Sequence, residues 1–326
     1  MIGYIVRRVL NYLVLTAAAT MLAYVLASET LNPALKFESK HPRPSQASID
    51  IYLRGLGQDP RTPVVVRALH WFGDIFRGNL GLGVDNQPVT HELWTRMGVS
   101  LELLLVGSVI GVALGIALGV WGAVRQYSFS DQATGVLSYV IFATPTFVMG
   151  ILAMIGATYL NRWVGHTLIS FAGEYSPDVN GGWWPHFTDR LSHLSLPTLV
   201  LILGSAASFS RYQRSTMLDV LGADFIRTAR AKGHTRRAAL IKHGVRVALI
   251  PMSTFLAYSF GLLVTGATFL EIVFGWHGMG ELALNSILNN DINNVAGSTL
   301  YVSVLILCSS LLSEVLYAAL DPRARR

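Results

Sequence analysis

The sequence predicts an all-α integral membrane protein with six transmembrane helices. Three observations predict it. Of the 326 residues, 52% are hydrophobic and only 13% are charged, a balance too apolar for an ordinary soluble domain. Six apolar stretches, roughly residues 8–30, 99–123, 133–160, 196 onward, 251–274 and 296–319, have the length that crosses a bilayer. Basic residues gather in alternate connections. With the N-terminus inside, 15 of the 25 Lys and Arg lie on the inner side, and eight of the other ten fall in one loop too long for charge to orient it. The net charge of +6 is therefore an orientation signal. No basic-aromatic motif accompanies it, so a nucleic-acid partner is not expected. The single cysteine, Cys308, excludes an internal disulfide and a cysteine-based metal cluster.

The organisation has three parts: a first transmembrane helix (1–31), an extracytoplasmic region (32–98), and a five-helix core (99–326). Arg7-Arg8 followed by an apolar run could pass for a signal peptide, but the run from Val9 to Ala27 is span-sized and reads as a retained helix. From Lys36 to Ser48 proline and charge predict irregular chain. Val65, Ala68, Leu69, Phe72, Ile75 and Phe76, with Trp71, recur at helical spacing and predict an amphipathic interfacial helix or a small subdomain. Arg77-Gly-Asn-Leu-Gly-Leu-Gly83 lacks the Gly-Lys-Ser/Thr of a nucleotide loop and reads as a turn.

In the second span, Gly107, Gly111, Gly115 and Gly119 fall every fourth residue. Such a face lets another helix backbone come close. Glu102 is its only charge. The third span contains Pro145, which predicts a kink. The outer loop 161–194 carries Trp183 and Trp184, fit for an interfacial belt, and His166, His186 and His193, which lack metal-ligand spacing. The fourth span begins at Leu196-Pro197.

Between the fourth and fifth spans lies a basic, amphipathic stretch, 222–251. Asp224 is placed to cap a helix on which Phe225 and Ala229 share a face. Gly233 ends that helix. Thr235 caps a second one with an apolar stripe of Ile241, Val245, Ala248 and Leu249. The stretch predicts a helix–Gly–helix hairpin on the cytoplasmic face. From charge alone it would be no more than a topology signal.

Its wording is more specific. Asp224-Phe-Ile-Arg-Thr-Ala-Arg-Ala-Lys-Gly233, then His243-Gly-Val-Arg-Val-Ala-Leu-Ile-Pro251, resembles the loop motif of binding-protein-dependent ABC importer permeases, in particular the dipeptide/oligopeptide/nickel permease family. Against the general E-A-A-x-x-x-G motif, Arg227 stands at the Glu position, Thr228 and Ala229 at the Ala positions, and Gly233 at the Gly. Val247 replaces the subfamily's usual Asn. Ala143-Thr-Pro-Thr-Phe147, Glu271 to Gly280, and Tyr317-Ala-Ala-Leu-Asp-Pro-Arg323 resemble further family elements in the same order.

The resemblance implies a type I ABC importer permease fold in a bacterial cell membrane, with both termini cytoplasmic. It implies a homologous sister permease, two cytoplasmic ATPase subunits that bind ATP and Mg, and an extracytoplasmic peptide-binding protein. This chain would hold no cofactor. Asp224, Arg227, Thr228, Ala229, Arg230, Lys232, Gly233, His243 and Arg246 would form the ATPase-coupling loop. The chain itself has no Walker motif and no supported Ser/His/Asp or Cys/His arrangement, so a catalytic role is not expected. The rival reading is an ion-coupled secondary transporter. Such a protein would be expected to carry ionisable residues deep in the membrane, whereas Glu102, Glu271 and Glu314 fall near helix ends. The resemblance implies oligopeptides or dipeptides as cargo, with nickel or another small solute as the alternative.

Overall fold

The structure, a computed structural model, describes residues 2–38, 41–177 and 179–321. It is helical almost throughout. The elements are α1 Ile2–Thr30, a 3-10 turn Pro33–Phe37, α2 Gln46–Gly55, α3 Val64–Ile75, α4 Val89–Val124, α5 Phe129–Ala143, α6 Thr146–Val164 and α7 Trp183–Leu221. Then come α8 Asp224–Ala231, α9 Arg236–Ala239, a π turn Leu240–Gly244, α10 Val245–Ala248, α11 Ile250–Phe274, α12 Met279–Leu288 and α13 Ile292–Leu320. Among the described residues six helical stretches are long and apolar enough to cross a membrane: Val6–Thr30, Val89–Val124, Thr146–Val164, Trp183–Leu221, Arg237–Ala257 and Ile292–Leu320. The basic residues Arg323, Arg325 and Arg326, counted above as cytoplasmic, lie outside the described residues.

Three boundaries differ from the sequence reading. The helix expected over 133–160 is two helices. Thr144 is extended, as a residue preceding proline is driven to be, and Pro145 stands at the N-cap of α6 instead of kinking a continuous rod. Helix α4 starts at Val89, and α7 starts at Trp183 and continues through Pro197. Both begin with polar turns that hydropathy does not recognise as part of a span. Within the stretch from Lys36 to Ser48, residues 39–40 lie outside the described residues, residues 41–45 are irregular as expected, and only the two ends are regular. Lys36 belongs to the 3-10 turn, and Ser45 caps α2 by accepting from the Ser48 amide.

The chain divides into two compact units. One comprises Ile2–Ser100 with His277–Cys308, so residues 277–308 cluster with the first hundred and not with the expected core. Its centre is Trp71 of α3. The ring stacks on Tyr24 of α1 at 5.0 Å, and its Nε1 donates to the Leu80 carbonyl at 2.9 Å. Ala68 and Trp71 are buried, while Val65, Leu69 and Phe76 are exposed. Helix α3 thus has one face against protein and a second apolar face that fits a membrane interface.

The glycine turn after α3 is seated by α13. Asn293 Nδ2 donates to the carbonyls of Leu82 at 2.8 Å and Leu56 at 2.9 Å, and Asp291 accepts from the Val84 amide at 2.8 Å. A Cβ on Gly83 would lie 2.8 Å from Asn294 and 2.9 Å from Asp291. The missing side chain there is a space requirement, not a nucleotide cradle.

The other unit holds Leu101–Trp276 and the described residues from Ser309 onward. Helix α7 is its axis, with α5, α6 and α11 packed on it. Helix α4 meets α7 along the glycine stripe. A Cβ on Gly107 would meet Leu201 Cβ at 2.8 Å, on Gly111 Ser205 Cβ at 2.6 Å, on Gly115 Phe209 Cβ at 2.6 Å, and on Gly119 the Ser210 carbonyl at 2.6 Å. The face turned toward a neighbour therefore lies against this chain's own helix.

Gly111→Leu is expected to cost more than the roughly 1–3 kcal/mol usual for overpacking, because the obstructing atoms include the Ile202 backbone. The yield of monodisperse protein and its thermal unfolding should both fall. Gly135→Ala, where nothing lies within 4 Å, serves as the silent control; normal behaviour of Gly111→Leu would refute the contact.

Candidate functional site

The basic stretch after α7 folds as a hairpin. Helix α8 rises from an extended Ala223, which is the N-cap and makes no side-chain capping bond. Asp224, expected to cap, is instead the first helical residue. Its Oδ1 accepts from Arg227 Nη1 at 3.5 Å, and its carbonyl accepts from Thr228 Oγ1 at 2.9 Å. The charge still sits where a helix N-terminus favours an anion. After Lys232 the chain reverses at Gly233, whose φ of +91° suits glycine and whose missing Cβ faces open space. Thr235 Oγ1 then accepts from the Ala238 amide at 3.2 Å and opens the second arm.

That arm carries a register shift. A stripe through Ile241, Val245, Ala248 and Leu249 follows α-helical spacing, but Leu240–Gly244 is a π turn. The wider turn brings positions 240, 244 and 248 onto one line. Leu240 is 1% exposed and Ile241 55% exposed, the reverse of the expected pattern. Similarly, Ile226 and Ala229 form the buried face of α8, and Phe225 is largely exposed. These side chains pack with Met217 and Val220 of α7, Ala123 of α4, and Ala239 and Ala248. The hairpin is thus bolted to the ends of α4 and α7.

Its other face is basic and open. Arg227, Thr228, Arg230, Lys232 and His243 are exposed, and the His234 and His243 rings stand edge to face at 5.8 Å. Arg246 donates from Nε to the Leu320 carbonyl at 3.2 Å and ties the second arm to the end of α13. Among the described residues no acidic side chain pairs with Arg230 or Lys232. The named loop residues are therefore brought together on one hairpin, with Ala229 turned inward to its core and Arg246 engaged at the end of α13.

Sequence reasoning missed the pair that closes this end of the bundle. Arg214 of α7 forks onto Asp131 of α5, Nε to Oδ1 at 2.6 Å and Nη2 to Oδ2 at 2.8 Å. Asp131 also accepts from the Tyr127 amide at 3.0 Å and is 3% exposed. Gly122 of α4 leaves room for it: a Cβ there would lie 2.8 Å from Asp131 Oδ1. Arg214 was counted as a topology charge and Asp131 lay outside the expected span. A contact across 83 positions has no local signature. Glu102, expected as a lone charge, pairs with Arg190 at 2.7 Å, and Glu271 in the last turn of α11 is buried. With α4 beginning at Val89, Glu102 lies within its helix and not near the end, whereas Glu271 stands near a helix end as expected.

A cavity of about 450 Å3 opens between α5, α6, α7 and α11. The Thr144–Thr146 break forms part of its wall, and among the described residues Arg211 is its one charged lining residue.

Residues 111–326 match the family described as binding-protein-dependent transport system inner membrane component. The chain is 51% identical to the oligopeptide transport system permease protein OppB of Mycobacterium tuberculosis, covering 100% of this chain and 99% of the relative. It is 31% identical to the oligopeptide transport system permease protein AppB of Bacillus subtilis, over 99% of each chain. Over 84% of each chain it is 32% identical to the dipeptide transport system permease protein DppB of Escherichia coli.

The π turn makes a direct expectation. Leu240→Ala should cost about 2–5 kcal/mol, as for a buried leucine, and Ile241→Ala close to nothing. Denaturation of the two purified variants in detergent checks it; the opposite order would restore the uninterrupted α-helical register.

Proposed function

Because the chain belongs to the family of binding-protein-dependent transport system inner membrane components, we propose that it works as a permease subunit of an ATP-driven importer that carries oligopeptides into the bacterial cell. The observation that carries the cargo class is full-length identity of 51% to an oligopeptide permease. It is a multi-pass membrane protein, and both termini are taken to be cytoplasmic.

The chemistry of this chain is mechanical. Energy comes from two ATPase subunits that hold ATP and Mg outside this chain. A sister permease completes the membrane part, and an extracytoplasmic binding protein delivers the peptide. The exposed basic face of α8 seats on one ATPase subunit, where Arg227 and Arg230 meet acidic groups. Closure of the ATPase pair pulls the hairpin. Since Ile226, Leu240 and Val220 are packed together, the pull passes to α7 without slack. The two permeases then rock as rigid bodies between inward and outward states. The loaded binding protein biases the same equilibrium through its differential affinity for the two states.

Two measurements test this reading. Gly233→Val keeps every charge and meets no atom, yet it places a β-branched residue at positive φ. It should still insert and fold, lose most ATP-driven peptide uptake, and release the ATPase subunit in co-purification. Arg227→Glu with Arg230→Glu should do the same. Full uptake with normal ATPase association in Gly233→Val would reduce the loop to a topology signal.

Orientation is read separately by cysteine labels, with Cys308 first replaced. Labels at Ser48 and Thr188 should react with an impermeant reagent applied from outside, and one at Thr235 should not. Outside labelling at Thr235 would invert the orientation and remove the ATPase contact with it.

A further inference from the structure

Arg211 lies in α7 between two groups whose partners are settled. Arg214, one turn on, is neutralised by Asp131. Ser210, one residue back, faces the Ser138 hydroxyl at 3.1 Å. Arg211 has no such partner. Among the described residues no carboxylate pairs with it, and its Nε is buried without a hydrogen bond. The guanidinium is held by rings, with its Cζ 4.1 Å from the centroid of Phe142 and 5.1 Å from that of Tyr139. Cation–π contacts fix the plane of the group but satisfy none of its N–H donors.

Although counted among the inner-side charges, Arg211 lies within α7 itself, one turn before the ion-paired Arg214, and a charge on such a helix calls for a partner or an aqueous cavity to receive it. Here the receiver is the cavity of about 450 Å3. Its wall is largely apolar, through Met149, Val200 and Phe255, and is dotted with the hydroxyl-bearing residues Thr144, Ser208 and Ser259. An apolar wall with a few convergent polar groups and one charge is the usual composition of a small-molecule site.

We infer that Arg211 and this cavity form a transient binding site for a carboxylate of the passing peptide. The inference rests on the peptide-importer reading above and names the chemical group recognised. A guanidinium fork matches a carboxylate with two parallel N–H···O bonds, and the aromatic rings hold it in place while the site is empty. Neighbouring hydroxyls and apolar wall accept the rest of a short peptide without reading its side chains. The carboxylate has two sources, the peptide's C-terminus and an acidic side chain, and they are separable.

The test uses importers assembled with their partner subunits in lipid nanodiscs, without the binding protein. Radiolabelled trialanine, trialanine amide and Ala-Asp-Ala amide are measured by equilibrium dialysis. Wild type should bind trialanine about tenfold or more tightly than its amide, as loss of a charge-assisted pair predicts. Arg211→Gln should bind both equally weakly. Arg211→Lys, which keeps the charge without the fork, should fall between them, and it decides the matter if Arg211→Gln does not assemble. Recovery of tight wild-type binding by Ala-Asp-Ala amide would extend the site to side-chain carboxylates; failure to recover would confine it to the C-terminus. The inference is overturned if wild type does not prefer trialanine to its amide, if the preference survives in Arg211→Gln, or if wild type binds none of the three. Uptake of trialanine by wild type with binding protein and ATP is measured in parallel. Its absence overturns the importer reading, whereas uptake without carboxylate preference overturns only the role of Arg211.

Discussion

The close approach of α4 to α7 is the constraint on which the rest of the larger unit depends. Four glycines let the two backbones touch, and each missing Cβ would fall within 2.8 Å of an atom of α7. Inside a bilayer this matters more than in water. Lipid offers apolar side chains as good an environment as protein does, so helices stay together through dense packing and hydrogen bonds. With α4 seated, Gly122 at its end makes room for Asp131, and Asp131 receives Arg214. One run of small residues thereby fixes three helices, α4, α5 and α7. Asp131 is the buried member of the pair, and its charge left alone would be strongly unfavourable there, while Arg214 keeps 34% of its side chain open.

The hairpin inherits that rigidity. Its core side chains meet Met217 and Val220 at the end of α7 and Ala123 near the end of α4. The basic residues face away from this contact. The stretch thus has an inner face concerned with packing and an outer face that makes few bonds within the chain. That division separates a part of the loop that must not change shape from a part available to a partner. Gly233 stands at the joint between the arms, where positive φ and open space make the backbone conformation, not side-chain volume, the requirement.

Much of this was legible in the sequence, for physical reasons. Hydropathy finds spans because no unpaired backbone can face lipid. A glycine every fourth residue marks a contact face because the helix repeats at 3.6 residues. Thr235 and Gly233 marked the start and stop of the hairpin's arms by local hydrogen bonding and local φ. What was not legible is nonlocal or a matter of one residue. Periodicity assumes a uniform helix, so a single π turn at Leu240–Gly244 exchanged Leu240 for Ile241 at the core. Asp131 and Arg214 looked like ordinary loop charges until the fold brought them to 2.6 Å. Asn293 and Asp291 support the Leu82–Val84 turn across more than two hundred positions, with no signal in either stretch alone. Pro145 was visible, but whether proline bends a helix or ends it depends on what replaces the lost hydrogen bond.

The contrast between Pro145 and Pro197 has a mechanical meaning. Pro145 separates α5 from α6, so a push along one is not delivered to the other. Pro197 leaves α7 continuous for 39 residues, or about 58 Å at 1.5 Å per residue. The first pair is a hinged rod and α7 is a lever. A tilt of about 5° at the hairpin end would swing the far end of a lever that long by about 5 Å, comparable to one helical turn. In the importer reading, a small angular change imposed at the cytoplasmic end becomes, through the length of one unbroken helix, a displacement at the opposite mouth large enough to admit a peptide backbone.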